Sequence, residues 1–187
     1  YKGTHWQEGD IDNTSYEIGH FLHLATKSNP SILEVLRSPT IDVAEGYEEI
    51  AAELISLFPY VWSSKDVYNS HRGYGHNQRK KLFDDPYGPR ARKYSGAWLR
   101  SLYNGYTLLS TGDFSLSVIG TPVEQILRDW RNPAFKLDPS EVVAYALTWE
   151  KLLQVAYEKN PDHQPDLEKV NTFLLKMRKE FWDVGKE

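Results

Sequence analysis

Two aspartates near the start of the chain have a spacing that could serve chemistry. Asp10 and Asp12 alternate with Ile11 in the stretch GDIDNTSYEIGHFL, directly before an amphipathic segment. In an extended segment successive side chains point to opposite faces, so we expect the two carboxylates on one side. Two carboxylates on one face repel each other, and water or a bound cation stabilises them. The spacing leaves both interpretations open, a solvated acidic turn and a cation site.

A basic segment is the second feature with chemical meaning. Between His71 and Arg100 the chain has eight Lys or Arg residues and two acidic residues, although its net charge is −4. Such a segment can concentrate positive potential on an anionic ligand, and phosphate is the usual one. Two alternatives remain: these are ordinary exposed helix residues, or Lys93 and Arg100 pair with carboxylates of the same chain. The eight basic residues are Arg72, Arg79, Lys80, Lys81, Arg90, Arg92, Lys93 and Arg100.

The composition narrows the kinds of site that the chain can build. Its 187 residues include no cysteine, so disulfides and thiolate metal sites are excluded. The sequence has no glycine-rich phosphate loop with its lysine and no serine in a G-x-S-x-G context. His71 and His76 are five residues apart, which does not place them on one helical face, so a zinc site is not expected.

The N-terminal residues and the hydropathy of the chain predict its cellular location. No run approaches the roughly 18 apolar residues of a membrane-spanning helix, and the first residues do not form a signal peptide. We therefore expect a cytoplasmic protein with no membrane partner. Because the chain begins with Tyr1 instead of methionine, we also expect that the natural polypeptide has residues upstream of it.

The elements that would position these residues are mainly helices, separated by proline and glycine. Thr14 and Glu17 have the spacing of a capping box and predict a helix start at Thr14. Gly73 and Gly75 lie inside a predicted helix, where each costs up to about 1 kcal/mol relative to alanine, so we expect close approach of a backbone or ligand there. Segment 113–121 could form a short extended arm. The other predicted helices begin or run at Asn29-Pro30, 44–58, Ser63, 90–110, Pro122–Trp130, Asp138–Glu158 and Asp166–Trp182.

Several motifs together resemble a known family. They are D-x-x-x-Y-x-(apolar)-x-x-F at Asp12–Phe21, A-x-K-S-N-P-x-x-L-E-x-L at 25–36, and G-Y-x-x-x-Q at Gly73–Gln78. Lys93 and Arg100, G-x-x-L-L-x-T-G at 105–112 and I-L-R-D-W-R-N at 126–132 follow in order. This order is similar to that of the predicted nucleotidyltransferases of the DNA polymerase beta superfamily in bacteria and phages.

The resemblance implies a fold and a set of site residues. It implies an α+β, mainly helical fold: the C-terminal part of a nucleotidyltransferase palm with a short N-terminal strand over 1–60, then a helical lobe over 61–187. Asp12 looks like the third metal-binding carboxylate of such enzymes, with Asp10 as its neighbour, and both would bind Mg²⁺ and act in catalysis. Tyr74, Gln78, Lys93 and Arg100 would bind the nucleotide from the helical lobe.

The chain also departs from the family pattern. The glycine-serine motif and the first aspartate pair are absent, and Ala97 stands where the pattern favours histidine. The function that the resemblance implies is Mg²⁺-assisted transfer of a nucleotide from an NTP to an acceptor such as an RNA end. The alternative is a helical module that binds nucleic acid or protein without catalysis.

Overall fold

The described residues form a short antiparallel hairpin followed by eight helices, which confirms the mainly helical α+β class. The computed structural model describes residues 3–182, and Trp182 only by its backbone. The hairpin pairs β1 (Gly3–Glu8) with β2 (Ile11–Tyr16). The helices are α1 (Ile18–Thr26), α2 (Pro30–Leu36), α3 (Glu48–Ser56), α4 (Ser64–Asp84), α5 (Ala91–Thr111), α6 (Glu124–Arg131), α7 (Pro139–Lys159) and α8 (Leu167–Trp182), with a 3-10 turn at Phe58–Tyr60 between α3 and α4.

The start of α1 differs from the sequence prediction. Thr14 lies in β2, where its Oγ1 is 3.1 Å from Nδ1 of His5 on the paired strand. The N-cap is Glu17, whose carboxylate accepts the backbone N–H of His20 at 2.9 Å. The capping box predicted at Thr14 is wrong because pairing with β1 extends the strand as far as Tyr16.

The junction between α1 and α2 is a buried turn with an unusual residue in it. Ser28 is fully buried and has φ 51, and it is the only non-glycine residue between 3 and 182 with a positive φ. Its N–H reaches the Ala25 carbonyl at 2.7 Å, and Asn29 N–H reaches Leu24 at 3.1 Å, the double pattern of a Schellman motif. Asn29 then caps α2 as predicted, through Oδ1 and the N–H of Ser31 and Ile32.

Two other segments differ from their predictions. The third helix is shorter than predicted, because it ends at Ser56 and the chain turns through the 3-10 segment at Phe58. The strand predicted within 113–121 is wrong, because those residues are irregular, with a bend at Leu116 and a turn at Ile119 and Gly120, and none of them lies in a strand. Local hydrogen bonds of serine hydroxyls with nearby N–H groups, at Ser115 and Ser117, compete with strand formation there.

Helix α5 occupies the centre of the fold, with α4 and α7 packed along it. The α4–α5 crossing depends on glycines. A β-carbon on Gly75 would lie 2.8 Å from Cδ1 of Trp98, and one on Gly105 would lie 2.9 Å from Cβ of His71. At Gly75 a close approach occurs, but the neighbour is the Trp98 side chain and not the backbone or ligand that we predicted. At Gly73 a β-carbon would meet open space, so no described protein group approaches it, and the approach of a ligand there stays a prediction.

One apolar core joins the helices. Trp98, Trp130 and Phe173, from α5, α6 and α8, are among its largest fully buried side chains. Within residues 3–182 no helix combines the length and the apolarity needed to cross a bilayer. The division into segments 1–60 and 61–187 stays a prediction.

Candidate nucleotide-binding face

The hairpin places the two predicted catalytic aspartates in different settings. Gly9 and Asp10 form the two-residue turn, in which Gly9 has φ 60, as a type II′ turn requires at its first central residue. Asp12 lies within β2, opposite Gln7, and is exposed. The two carboxylates therefore do not stand on one face of an extended segment as predicted, because the chain reverses at Asp10.

The aspartates offer an incomplete set of ligands for a resident metal. No group of three or more His, Asp or Glu side chains within the described part of the chain could hold a metal ion. Mg²⁺ binds protein through one or two carboxylates only when waters or substrate phosphates complete its six ligands. Asp10 and Asp12 alone supply too few ligands to hold Mg²⁺ without waters or substrate phosphates, and their part in metal binding stays a prediction.

Helix α4 presents two of the predicted binding residues at different depths. Tyr74 and Gln78 are four residues apart and are therefore neighbours on one side of the helix. Tyr74 is 37% exposed, whereas Gln78 is 7% exposed and lies on the buried row that also contains Gly75. Ser70 precedes Tyr74 by one turn, and its hydroxyl donates to the Ser28 carbonyl at 2.7 Å. The Tyr74 side of α4 therefore faces the α1–α2 junction.

Helix α5 presents the two predicted cations along one row. Lys93, Ala97, Arg100 and Asn104 follow at three- and four-residue spacing and share a face. Lys93 is exposed and has no hydrogen bond or ion pair with any other described residue. Arg100 is half-buried. Since α4 packs along α5, Tyr74 and Gln78 lie on a helix next to the one that carries these cations, and their meeting at one site stays a prediction.

Arg100 has an acidic neighbour that the sequence analysis did not single out as a site residue. Glu34 of α2 accepts a hydrogen bond from Nδ2 of Asn104 at 3.3 Å. Burial raises the pKa of the Glu34 carboxyl above its ordinary value, while the Arg100 charge and the Asn104 hydrogen bond act in the opposite direction. No ion pair or hydrogen bond between described residues joins Glu34 to Arg100, and Lys93 has no carboxylate partner there, so the internal-pairing alternative is not shown for either cation. Glu34 was visible only as the E of the L-E-x-L motif.

Two other basic residues of the segment serve the fold. Arg72 forms an ion pair with Glu150 of α7, Nε to Oε1 at 2.6 Å. Arg92 donates to three carbonyl oxygens at the end of α6 and beyond it, those of Trp130, Pro133 and Phe135. Both therefore join helices, and neither is available to a ligand without loss of those bonds.

Asp12 is not joined to the helical residues. No hydrogen bond or ion pair between described residues links it to Lys93 or to Arg100. The hairpin is attached to α1 through Tyr16, whose ring lies edge-on to that of Phe21 at 6.1 Å. We name Tyr74, Gln78, Lys93 and Arg100 the candidate nucleotide-binding face, and the part of Asp12 in it stays a prediction.

Comparison with known proteins identifies the family. The sequence profile described as "RNA repair pathway DNA polymerase beta family" (RlaP) matches residues 3–114. That range contains the hairpin, α1 to α5 and every residue of the candidate nucleotide-binding face. No curated protein and no solved structure matches the chain.

Proposed function

Because the chain belongs to the RNA repair pathway DNA polymerase beta family, we propose that it transfers a nucleotide from an NTP to the end of an RNA. The observation that carries the proposal is the row of Lys93 and Arg100 on α5, the helix along which α4 with Tyr74 packs. Lys93 is exposed without an acidic partner among the described residues, so its ammonium is available to triphosphate oxygens. Charge-assisted hydrogen bonds of this kind are among the stronger ones.

The four face residues would have separate tasks. Lys93 and Arg100 would bind the triphosphate, and Tyr74 would stack on the nucleoside or form a hydrogen bond with it. Gln78, buried between α4 and α5, would contact the nucleotide from below Tyr74. Asp12 would supply one carboxylate of the reaction centre. Nucleotidyltransferases of the polymerase beta type generally use divalent metals, so the assays contain Mg²⁺.

Nucleotide binding tests the face directly. The fluorescence anisotropy of a labelled NTP should rise on titration with the protein, and Lys93→Ala or Arg100→Ala should weaken binding about tenfold, a loss of about 1.5 kcal/mol or more. Lys151→Ala is the matched control, because Lys151 is an exposed cation on α7 without a partner in residues 3–182. If the unchanged protein and the three variants bound the NTP with equal affinity, Lys93 and Arg100 would not be nucleotide-binding residues.

Transfer of label tests the carboxylate. Because the glycine-serine motif and the first aspartate pair are absent from this chain, the assay uses the chain joined at its N-terminus to a segment that supplies them. With α-labelled NTPs, Mg²⁺ and a single-stranded RNA, we then expect labelled RNA, and Asp12→Asn should abolish it. Glu8→Gln is the control, because Glu8 pairs with Ile11 and lies on the opposite face of the hairpin from Asp12. Full transfer activity of Asp12→Asn would show that the Asp12 carboxylate has no catalytic role. Oligonucleotide binding with steep salt dependence, and no NTP binding, would favour the non-catalytic alternative.

A further inference from the structure

The loop end of the α4–α5 hairpin carries most of the local positive charge. We name residues 79–93 the α4–α5 tip. It contains six Lys or Arg residues and two acidic ones, and Arg92 is used by backbone carbonyl groups. The other five form no ion pair with any carboxylate among residues 3–182, and four of them, Lys80, Lys81, Arg90 and Lys93, are exposed.

Two large aromatic side chains are exposed on the same tip. Phe83 is 50% exposed and Tyr87 is 84% exposed. They border a groove whose opposite wall is the start of α7, at Pro139 and Val143. The guanidinium of Arg79 lies over the Phe83 ring, 5.6 Å from its centroid. Two exposed rings at an apolar groove are unusual beside so many charges, and they provide flat surfaces on which other rings can stack.

The acidic residues near the tip do not neutralise it. The Asp85 carboxylate lies directly over Gly88, where a β-carbon would clash with its Oδ2. Asp138, at the groove, accepts both the N–H and the hydroxyl of Ser140, at 2.8 and 2.7 Å, as the cap of α7. These contacts lower the pKa of Asp138 below its ordinary value. The tip nevertheless keeps an excess of positive charge, because its six cations outnumber the three acids Asp84, Asp85 and Asp138 two to one.

We propose that the α4–α5 tip binds single-stranded RNA, the acceptor strand of the proposed function, on which this inference rests. Unpaired cations beside exposed aromatic rings are the combination that binds single strands, in which phosphates contact Lys and Arg while bases stack on the rings. Lys80 and Arg90 would contact phosphates, and Phe83 and Tyr87 would each stack on a base. A duplex keeps its bases inside, so only its phosphates could bind.

Anisotropy of a labelled single-stranded RNA of about 10 nucleotides, within the usual site size, tests the tip. We expect Phe83→Ala combined with Tyr87→Ala to weaken binding at least tenfold, since one stacked base is worth about 1–3 kcal/mol. Lys80→Ala and Arg90→Ala should each lower the slope of log affinity against log salt by about 0.7. Ile119→Ala, at a residue 74% exposed in another loop, and Lys151→Ala are the controls and should change nothing.

Three results would overturn the inference: duplex RNA of equal length binding as tightly as the single strand, DNA binding more tightly than RNA, or unchanged affinity of the aromatic double variant. Circular dichroism of that variant checks its fold, which the exposure of both rings should preserve. NTP binding separates the two proposals. The aromatic double variant, Lys80→Ala and Arg90→Ala should bind NTP normally, whereas Lys93→Ala should lose NTP binding. If these tip variants transferred nucleotides to RNA at an unchanged rate, RNA binding by the tip would be refuted, and the proposed nucleotidyltransferase function would stand.

Discussion

His71 makes the stability of the protein depend on pH. Its ring is fully buried between α4 and α5, Nδ1 donates to the Val67 carbonyl at 3.0 Å, and Gly105 of α5 lies directly against it. Burial lowers the pKa of His71 from 6.5 to about 4. The imidazole is therefore neutral in the folded protein at pH values at which the unfolded chain binds a proton.

Proton linkage gives the sign and the size of the change in the free energy of unfolding with pH. Above pH 6.5 the residue is neutral in both states and has no effect on the pH dependence. Between pH 6.5 and 4 only the unfolded state takes up the proton, so the free energy of unfolding falls as pH falls. At 1.36 kcal/mol per unit of pKa, the loss is about 2 kcal/mol at pH 5 and approaches about 3 kcal/mol near pH 4.

Urea unfolding followed by tryptophan fluorescence measures this loss. Buffers at about pH 7.5, 6, 5 and 4.5 cover the range from above the ordinary pKa of histidine to just above the lowered pKa of His71. His71→Asn is the comparison, because asparagine does not titrate there and its amide can still donate to a carbonyl. The variant has its own constant cost from the lost ring, so the comparison uses the change with pH in each protein. If both proteins lose the same free energy between pH 7.5 and 4.5, the reasoning about His71 is refuted.

Three further predictions concern packing and the backbone, each measured by thermal or urea unfolding. Gly105→Ala should destabilise the protein by about 1–3 kcal/mol through overpacking against His71, whereas Gly73→Ala, in open space, should stabilise it by up to about 1 kcal/mol; equal effects would contradict this. Arg92→Met should cost about 2 kcal/mol through its lost carbonyl contacts, and a neutral result would show that water replaces them. Ser28→Ala should be less stable than Ser28→Gly by about 1 kcal/mol, because a β-carbon strains the left-handed backbone; the reverse order would contradict the assignment.

The sequence predicts the helices well where their ends depend on local contacts. Asn29, Ser63 and Asp138 each cap the helix predicted to follow them, by a side-chain oxygen that accepts an N–H two or three residues ahead. Gly112, directly after the helix predicted over 90–110, ends α5 with φ 81, in the left-handed region that favours glycine. These signals lie within one turn of the helix they control, so no tertiary contact is needed to find them.

The predictions fail where a residue far away in the sequence determines a helix start, an ionic neighbour or the burial of a side chain. Thr14 has the spacing of a helix cap, yet His5 on the neighbouring strand takes its hydroxyl. The neighbour of Arg100 could not be predicted either, because Glu34 and Asn104 are seventy residues apart and meet only when α2 packs beside α5. The depth of Gln78 is a third case, since its place on the buried row follows from the α4–α5 crossing.

The structure resolves how a net acidic chain keeps a local basic surface. The basic residues of α4 and α5 divide by position: Arg72 and Arg92 join neighbouring helices, and Arg100 lies beside Glu34. Lys93 belongs to neither group, because no acidic side chain from another described element reaches its turn of α5. Arg100 is half-buried near Glu34, although no hydrogen bond or ion pair among the described residues fixes its guanidinium. Lys93, on the same row of α5, is exposed. The two predicted nucleotide-binding cations therefore differ in burial, and a ligand that binds both would restrict the exposed lysine side chain more, at a larger cost in conformational entropy.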